Sequence, residues 1–171
     1  IDVEFVNFEG NHEQAGGSGE LFTYLVPAGD YTGITFGLGV DSVRNHADPL
    51  VYANDHPLST FKSSHWSWNT GYIFTKIEGE VFYDNNGSPD SVGYVYHTGT
   101  DPLFRTISLS ESITVETAEK NTIDLVIDMK RLFYDESDTL IVQNENFTHT
   151  TGDFQLAKKV TDFTAQAFSV E

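Results

Sequence analysis

The chain contains no cysteine. Disulfides, iron–sulfur clusters, thiolate nucleophiles and Cys-based zinc sites are thereby excluded, and any metal must be held by histidine, carboxylate or a less usual ligand. Basic residues are scarce as well: 9 Lys and Arg stand against 26 Asp and Glu, a net charge of −17. Such a field repels nucleic-acid phosphates and anionic lipid head groups, so no nucleic-acid partner is expected. The acid reads either as a solvated surface, suited to a salty habitat, or as an attractor for cations or for a basic partner. No apolar run reaches the ~18 residues that a membrane helix needs, so no transmembrane segment is expected. The opening Ile1-Asp2-Val3-Glu4-Phe5 reads as a strand rather than a leader peptide, which suits a mature secreted chain and a cytosolic one equally. Also missing are a Gly-x-Ser-x-Gly elbow, His-Glu-x-x-His, a phosphate loop and a dinucleotide fingerprint. The chain is not expected to be an enzyme.

What is present is alternation. In Tyr31 to Val40, Ile34, Phe36, Leu38 and Val40 form one apolar face, and Gly33, Thr35, Gly37 and Gly39 form the other. Further strands are predicted from Gly71 to Tyr83, Val92 to His97, Leu103 to Leu109, Ile113 to Glu116 and Asn121 to Ile127, with strand-like patterns also at Val3 to Phe8 and Leu21 to Val26. Asp84-Asn85-Asn86-Gly87-Ser88-Pro89-Asp90 is a turn signal; its oxygens lack the EF-hand pattern that calcium would need. Met129 to Tyr134 is expected to form a short helix. A C-terminal helix is expected from Leu156, Val160, Phe163 and Ala167 at helical spacing, with Gly152-Asp153 as its cap. The fold class is therefore all-β: an antiparallel β-sandwich with one short helix and a C-terminal helix, expected as a single domain over 1–171.

The stretch without periodicity, Asp41 to Ser67, holds the unusual residues, and a loop that long is usually functional. It contains Asn45-His46-Ala47-Asp48-Pro49 and runs into His65-Trp66-Ser67-Trp68-Asn69-Thr70-Gly71-Tyr72. Three of the six histidines (His46, His56, His65) and both tryptophans lie here, which puts metal-ligand side chains beside oxidisable indoles. The spacing of these histidines is no recognised metal signature, and each also reads as a loop histidine bonded to backbone or solvated. His97 ends a strand and reads as a site residue at a sheet rim or as a surface cap. His149 precedes the C-terminal helix, and His12 sits in a Gly-rich early loop. Trp66 and Trp68 read as core filling or, near a redox metal, as oxidation targets.

Taken together, "GVDSVRNHADPL", "HWSWNTGYIFTKIEG", "YVYHTG" and "FRTISL" resemble the MbnP-like family of methanobactin-associated periplasmic proteins, related to surface copper proteins of methane-oxidising bacteria. The match runs from about Tyr31 to Leu109, with an echo in the closing helix. The resemblance implies a periplasmic, outer-membrane-associated or secreted β-sandwich that binds copper through histidines. It also implies a di-haem MauG-like peroxidase partner that oxidises one tryptophan to kynurenine to help form the site. Carried over by motif, His46 and His97 are the leading metal ligands, His65 and His149 follow, and Trp66 or Trp68 is the residue oxidised. One branch of the family is named for four cysteines, and its disulfides are absent here. The alternative reading is a non-metal cell-envelope binding or adhesion sandwich, with the indoles as a stacking platform or as core. A calcium-stabilised domain is a third, motivated by the acidic excess alone.

Overall fold

The computed structural model describes residues 3–8, 19–67 and 70–171. His12 and Trp68 lie outside them. Among the described residues eight strands form three sheets: β1 (Gly29–Leu38) with β5 (Arg105–Val115); β2 (His65–Ser67), β3 (Gly71–Asn85), β4 (Ser88–Gly99) and β7 (Phe147–His149) in that order; and β6 (Leu125–Ile127) with β8 (Phe168–Val170). Every pairing is antiparallel except β4 with β7, which is parallel. The architecture is the predominantly antiparallel β-sandwich that the alternation predicts. Among the described residues no helix is long and apolar enough to cross a membrane.

The longest hairpin, β3–β4, turns at Asn86-Gly87, both at positive φ, where Asp84 Oδ1 accepts the Gly87 N–H at 2.7 Å. Its register sets Ile77 opposite Tyr96 and Lys76 opposite His97. Side chains alternate across a strand, so Ile77, Val81, Val92, Tyr94 and Tyr96 share one face, and Lys76, Glu78, Val95 and His97 share the other. The first face is the core. It packs against Leu140, Val142 and the helix residues Leu156, Val160 and Phe163.

That helix follows β7. It spans Phe154–Gln166 (α2), starts where Asp153 Oδ1 accepts the Leu156 N–H at 3.0 Å, and buries Leu156, Ala157, Val160, Thr161, Phe163 and Thr164 as one stripe. The buried hydroxyls of Thr161 and Thr164 donate back to the carbonyls of Ala157 and Val160, so the apolar face carries no unmet polar group from them. The short helix stands at Ser42–Asn45 (α1), capped by Asp41.

Three local expectations change. Met129 to Tyr134 forms turns, not a helix: Asp128 Oδ1 takes the Lys130 N–H, and i+3 bonds close onto Asp128 and Lys130 before Tyr134 bridges Thr139. Val3 to Phe8 and Leu21 to Val26 join no strand, because a pleated pattern forms a ladder only where a neighbour offers its backbone. The strands expected at Leu103 to Leu109 and Ile113 to Glu116 merge into β5, while Leu103 itself sits in a 3₁₀ turn.

Candidate metal centre

The four-stranded sheet carries a histidine on each of two neighbouring strands. β7 runs parallel to β4 with Val95 opposite Phe147, Tyr96 opposite Thr148 and His97 opposite His149. Adjacent strands lie about 4.7–4.9 Å apart, so two residues in direct register and on one face must stack. The imidazoles do so, with centroids 4.6 Å apart and planes 8° from parallel. Trp66, on β2, leans over the pair, its ring centroid 5.5 Å from His149 and 6.0 Å from His97. Phe147 also packs on His149, at 4.6 Å.

The register is held by side chains as well as by the ladder. Val95 N–H donates to Asn146 O at 2.9 Å, and the Tyr96 hydroxyl donates to Glu145 O at 2.6 Å. Thr150 Oγ1 donates to His97 O at 3.0 Å, and buried Thr148 donates to Asp153 O at 2.9 Å, tying β7 to the start of α2. Thr150 adopts φ +60°, a left-handed conformation that is rare for a β-branched residue. Strain of this kind persists where the surroundings over-determine it, here directly after His149.

Glu78 completes the surroundings. It lies on β3, a diagonal neighbour of His97, and its Oε1 is 2.7 Å from His97 Nε2. Its other oxygen is 3.4 Å from Lys76 Nζ. The His97 hydrogen bond holds the Glu78 carboxyl below the usual carboxylate range. The His97 side chain is only 12% exposed, and its second nitrogen, Nδ1, is buried with no hydrogen-bond partner. His149 is held below the usual histidine pKa, first by desolvation and then by the neighbouring imidazole, which favours the neutral, metal-competent form.

The other sequence candidates have different places. His46 Nε2 lies 3.1 Å from Asp101 Oδ2, and its side chain is 49% exposed. Asp101 also accepts from the Ser42 hydroxyl and, at 2.7 Å, from Asn45 Nδ2. Asn45 is 1% exposed, and its Oδ1 accepts the Tyr72 N–H at 2.8 Å. Gly71, at φ +74°, lies so close that a Cβ there would collide with the Asn45 carboxamide. The Asn-His motif and the Gly-Tyr motif are thus two halves of one structural tie between α1, β3 and the Asp101–Leu103 turn. His65 packs edge-on against Tyr72, with centroids 4.9 Å apart. Trp66, the next residue, lies instead against His97 and His149. Burial lowers the His65 pKa, against the attraction of Asp48. It also pushes the Tyr72 phenol up to about 12, where the hydroxyl donates to Leu58 O at 2.7 Å. His56 stacks on Tyr52 and accepts the Leu58 N–H on Nδ1, closing its own loop.

Of the histidines named from sequence, the structure therefore brings His97 and His149 together with Trp66, while His46 engages Asp101 and His65 engages Tyr72. Glu78 was not foreseen. The available signal was its position two residues beyond Lys76, the residue that faces His97 across the hairpin.

The pair fits a soft cation in its donor set. It offers two imidazole rings and no thiolate, and it contains a buried ring nitrogen, His97 Nδ1, without a hydrogen-bond partner. An imidazole lone pair lies in the ring plane, so joint ligation requires the parallel rings to tilt. Among the described residues no group of three or more His, Asp or Glu side chains could hold a metal by itself. A site here needs a donor beyond these residue types; Phe147, the nearer ring to His149, carries no heteroatom, whereas Trp66, 5.5 Å from His149, carries the indole nitrogen.

No curated protein and no solved structure matches the chain. A family model described as MbnP matches residues 3–155, a span that contains β2, β3, β4 and β7 and with them Trp66, Glu78, His97 and His149. The chain accordingly belongs to the MbnP family.

Proposed function

We propose that this protein is an extracytoplasmic copper-binding protein rather than an enzyme, with His97 and His149 as its imidazole ligands and Trp66 as the indole oxidised to kynurenine. The observation that carries the reading is the parallel β4–β7 register, which stacks two imidazoles from distant parts of the chain beside an indole. Copper(I) accepts low coordination by neutral imidazoles and tolerates a weak further donor. An aromatic amine such as that of kynurenine is a donor of this kind. The oxidant is peroxide, used by a di-haem MauG-like peroxidase: two equivalents cleave the indole C2–C3 bond to give N-formylkynurenine and two waters, and hydrolysis then releases formate to leave kynurenine. This choice of ligands departs from the motif-based pair of His46 and His97, because His46 is engaged by Asp101.

Anaerobic copper(I) titration against a chromogenic chelator tests it, using protein co-expressed with the peroxidase and protein made without it. One equivalent of tight binding is expected in the matured protein, lost in His97→Ala and His149→Ala and kept in His46→Ala. The peptide carrying Trp66 and Trp68 should show the mass change of indole ring opening, abolished by Trp66→Phe. Failure to bind copper in either preparation returns the chain to the non-metal envelope module. Loss of binding in His46→Ala but not in His149→Ala moves the site to the loop.

A further inference from the structure

The His97–Glu78 contact has a consequence for which nitrogen faces the metal. An ionised carboxylate only accepts hydrogen bonds, so at 2.7 Å from Oε1 the His97 Nε2 must carry a proton. Lys76, opposite His97 in the ladder and near the second carboxylate oxygen, favours that ionised form. In a neutral imidazole the remaining nitrogen, Nδ1, then holds the lone pair. Nδ1 is the atom that is buried and unpartnered. Buried polar atoms without a partner are few in native proteins, and each calls for an explanation. Here the explanation is a donor atom kept free, on a ring that cannot flip without losing its hydrogen bond to Glu78.

Resting on the copper reading, we propose that Glu78 is a positioning residue: it fixes His97 as the Nε2–H tautomer and thereby makes Nδ1 the ligating atom. The fold supplies this geometry at a fixed place. Glu78 and His97 are diagonal neighbours in a hairpin whose opposite face is locked by Ile77 and Tyr96 in the core. A carboxylate behind a ligating histidine orients the ring and raises its basicity, and losing such a partner typically weakens metal binding 10–100-fold.

Long-range nitrogen–proton NMR of the histidine rings in the metal-free protein reads the tautomer directly. His97 should be protonated at Nε2 in the wild type and in Glu78→Gln, whose amide oxygen still accepts, and should become a tautomer mixture in Glu78→Ala. Copper(I) is diamagnetic, so the same spectra on titration should show His97 Nδ1 shifting while Nε2 keeps its proton. Copper(I) affinity should fall about 10–100-fold in Glu78→Ala and only a few-fold in Glu78→Gln. Glu78 is half-exposed, so all three proteins should melt alike, and this is checked by circular dichroism. A wild-type His97 protonated at Nδ1, or a Glu78→Ala protein that keeps both tautomer and affinity, overturns the proposal. The expected tautomers with no copper bound by any variant overturn the copper reading and leave the Glu78-fixed ring standing.

Discussion

At the scale of the residue, the most informative side chain is one that binds nothing but its own protein. Asn45 is buried, donates to Asp101 and accepts from the Tyr72 backbone. Removing it leaves a buried N–H unmet, and an orphaned buried group costs about 1–3 kcal/mol in addition to the bonds lost. Asn45→Ala should therefore lose about 2–4 kcal/mol of stability by urea unfolding. His46→Ala, one position on, should lose under about 1 kcal/mol, because its pair with Asp101 is half-exposed and screened. The adjacent pair thus separates a structural from a metal role. The sequence marks this stretch for imidazole ligation; in the fold Asn45 and His46 both engage Asp101. Asp101, the acceptor for both side chains, lies more than fifty residues away. No local pattern announces a pairing at that distance. His97 was legible as a strand-end residue, whereas its stacking on His149 depended on a register that sequence spacing does not encode.

At the scale of the element, long strands and the amphipathic helix followed from periodicity, since β1, β3, β4, β5 and α2 each repeat their pattern over ten or more residues. β7 and β8, three residues each, are too short to show a period, and β7 is the strand that brings His149 onto His97. Its parallel alignment with β4 has few ladder bonds of its own and leans on Thr148 and Thr150. Thr150→Val keeps the side-chain shape and removes the hydroxyl that donates to His97 O. The loss of that bond should cost about 1 kcal/mol, measurable by thermal unfolding, and copper(I) affinity should fall as His149 loses its register. Thr150→Ser, which keeps the hydroxyl, should restore affinity to near the wild-type value. If Thr150→Val binds as the parent does, the ladder alone holds β7.

At the scale of the molecule, charge decides the solution behaviour. Several carboxylates are held below their ordinary pKa in the fold: Asp101 first by the Ser42 hydroxyl, and Asp162, despite burial, by Lys158 and Arg105. A depressed folded pKa contributes stability that is present above the unfolded value, near 3.8 for Asp, and is lost as pH falls through the folded one. These local pairs favour neutral pH. The net charge of −17 opposes them there, because acids that face one another across the surface repel in the compact state. Ionic strength separates the two effects. The Debye length falls from about 30 Å at 0.01 M to about 8 Å at 0.15 M salt, so added salt removes repulsion across the molecule while sparing contacts near 3 Å. Exposed ion pairs contribute no more than about 1 kcal/mol each, so their weakening is the smaller term. Raising sodium chloride over that range should therefore raise Tm at pH 7. The same step at pH 4 should do much less, since partial protonation has by then reduced the net charge. A Tm at pH 7 that is flat or falls with salt would mean that the local pairs, not the acidic field, dominate this fold.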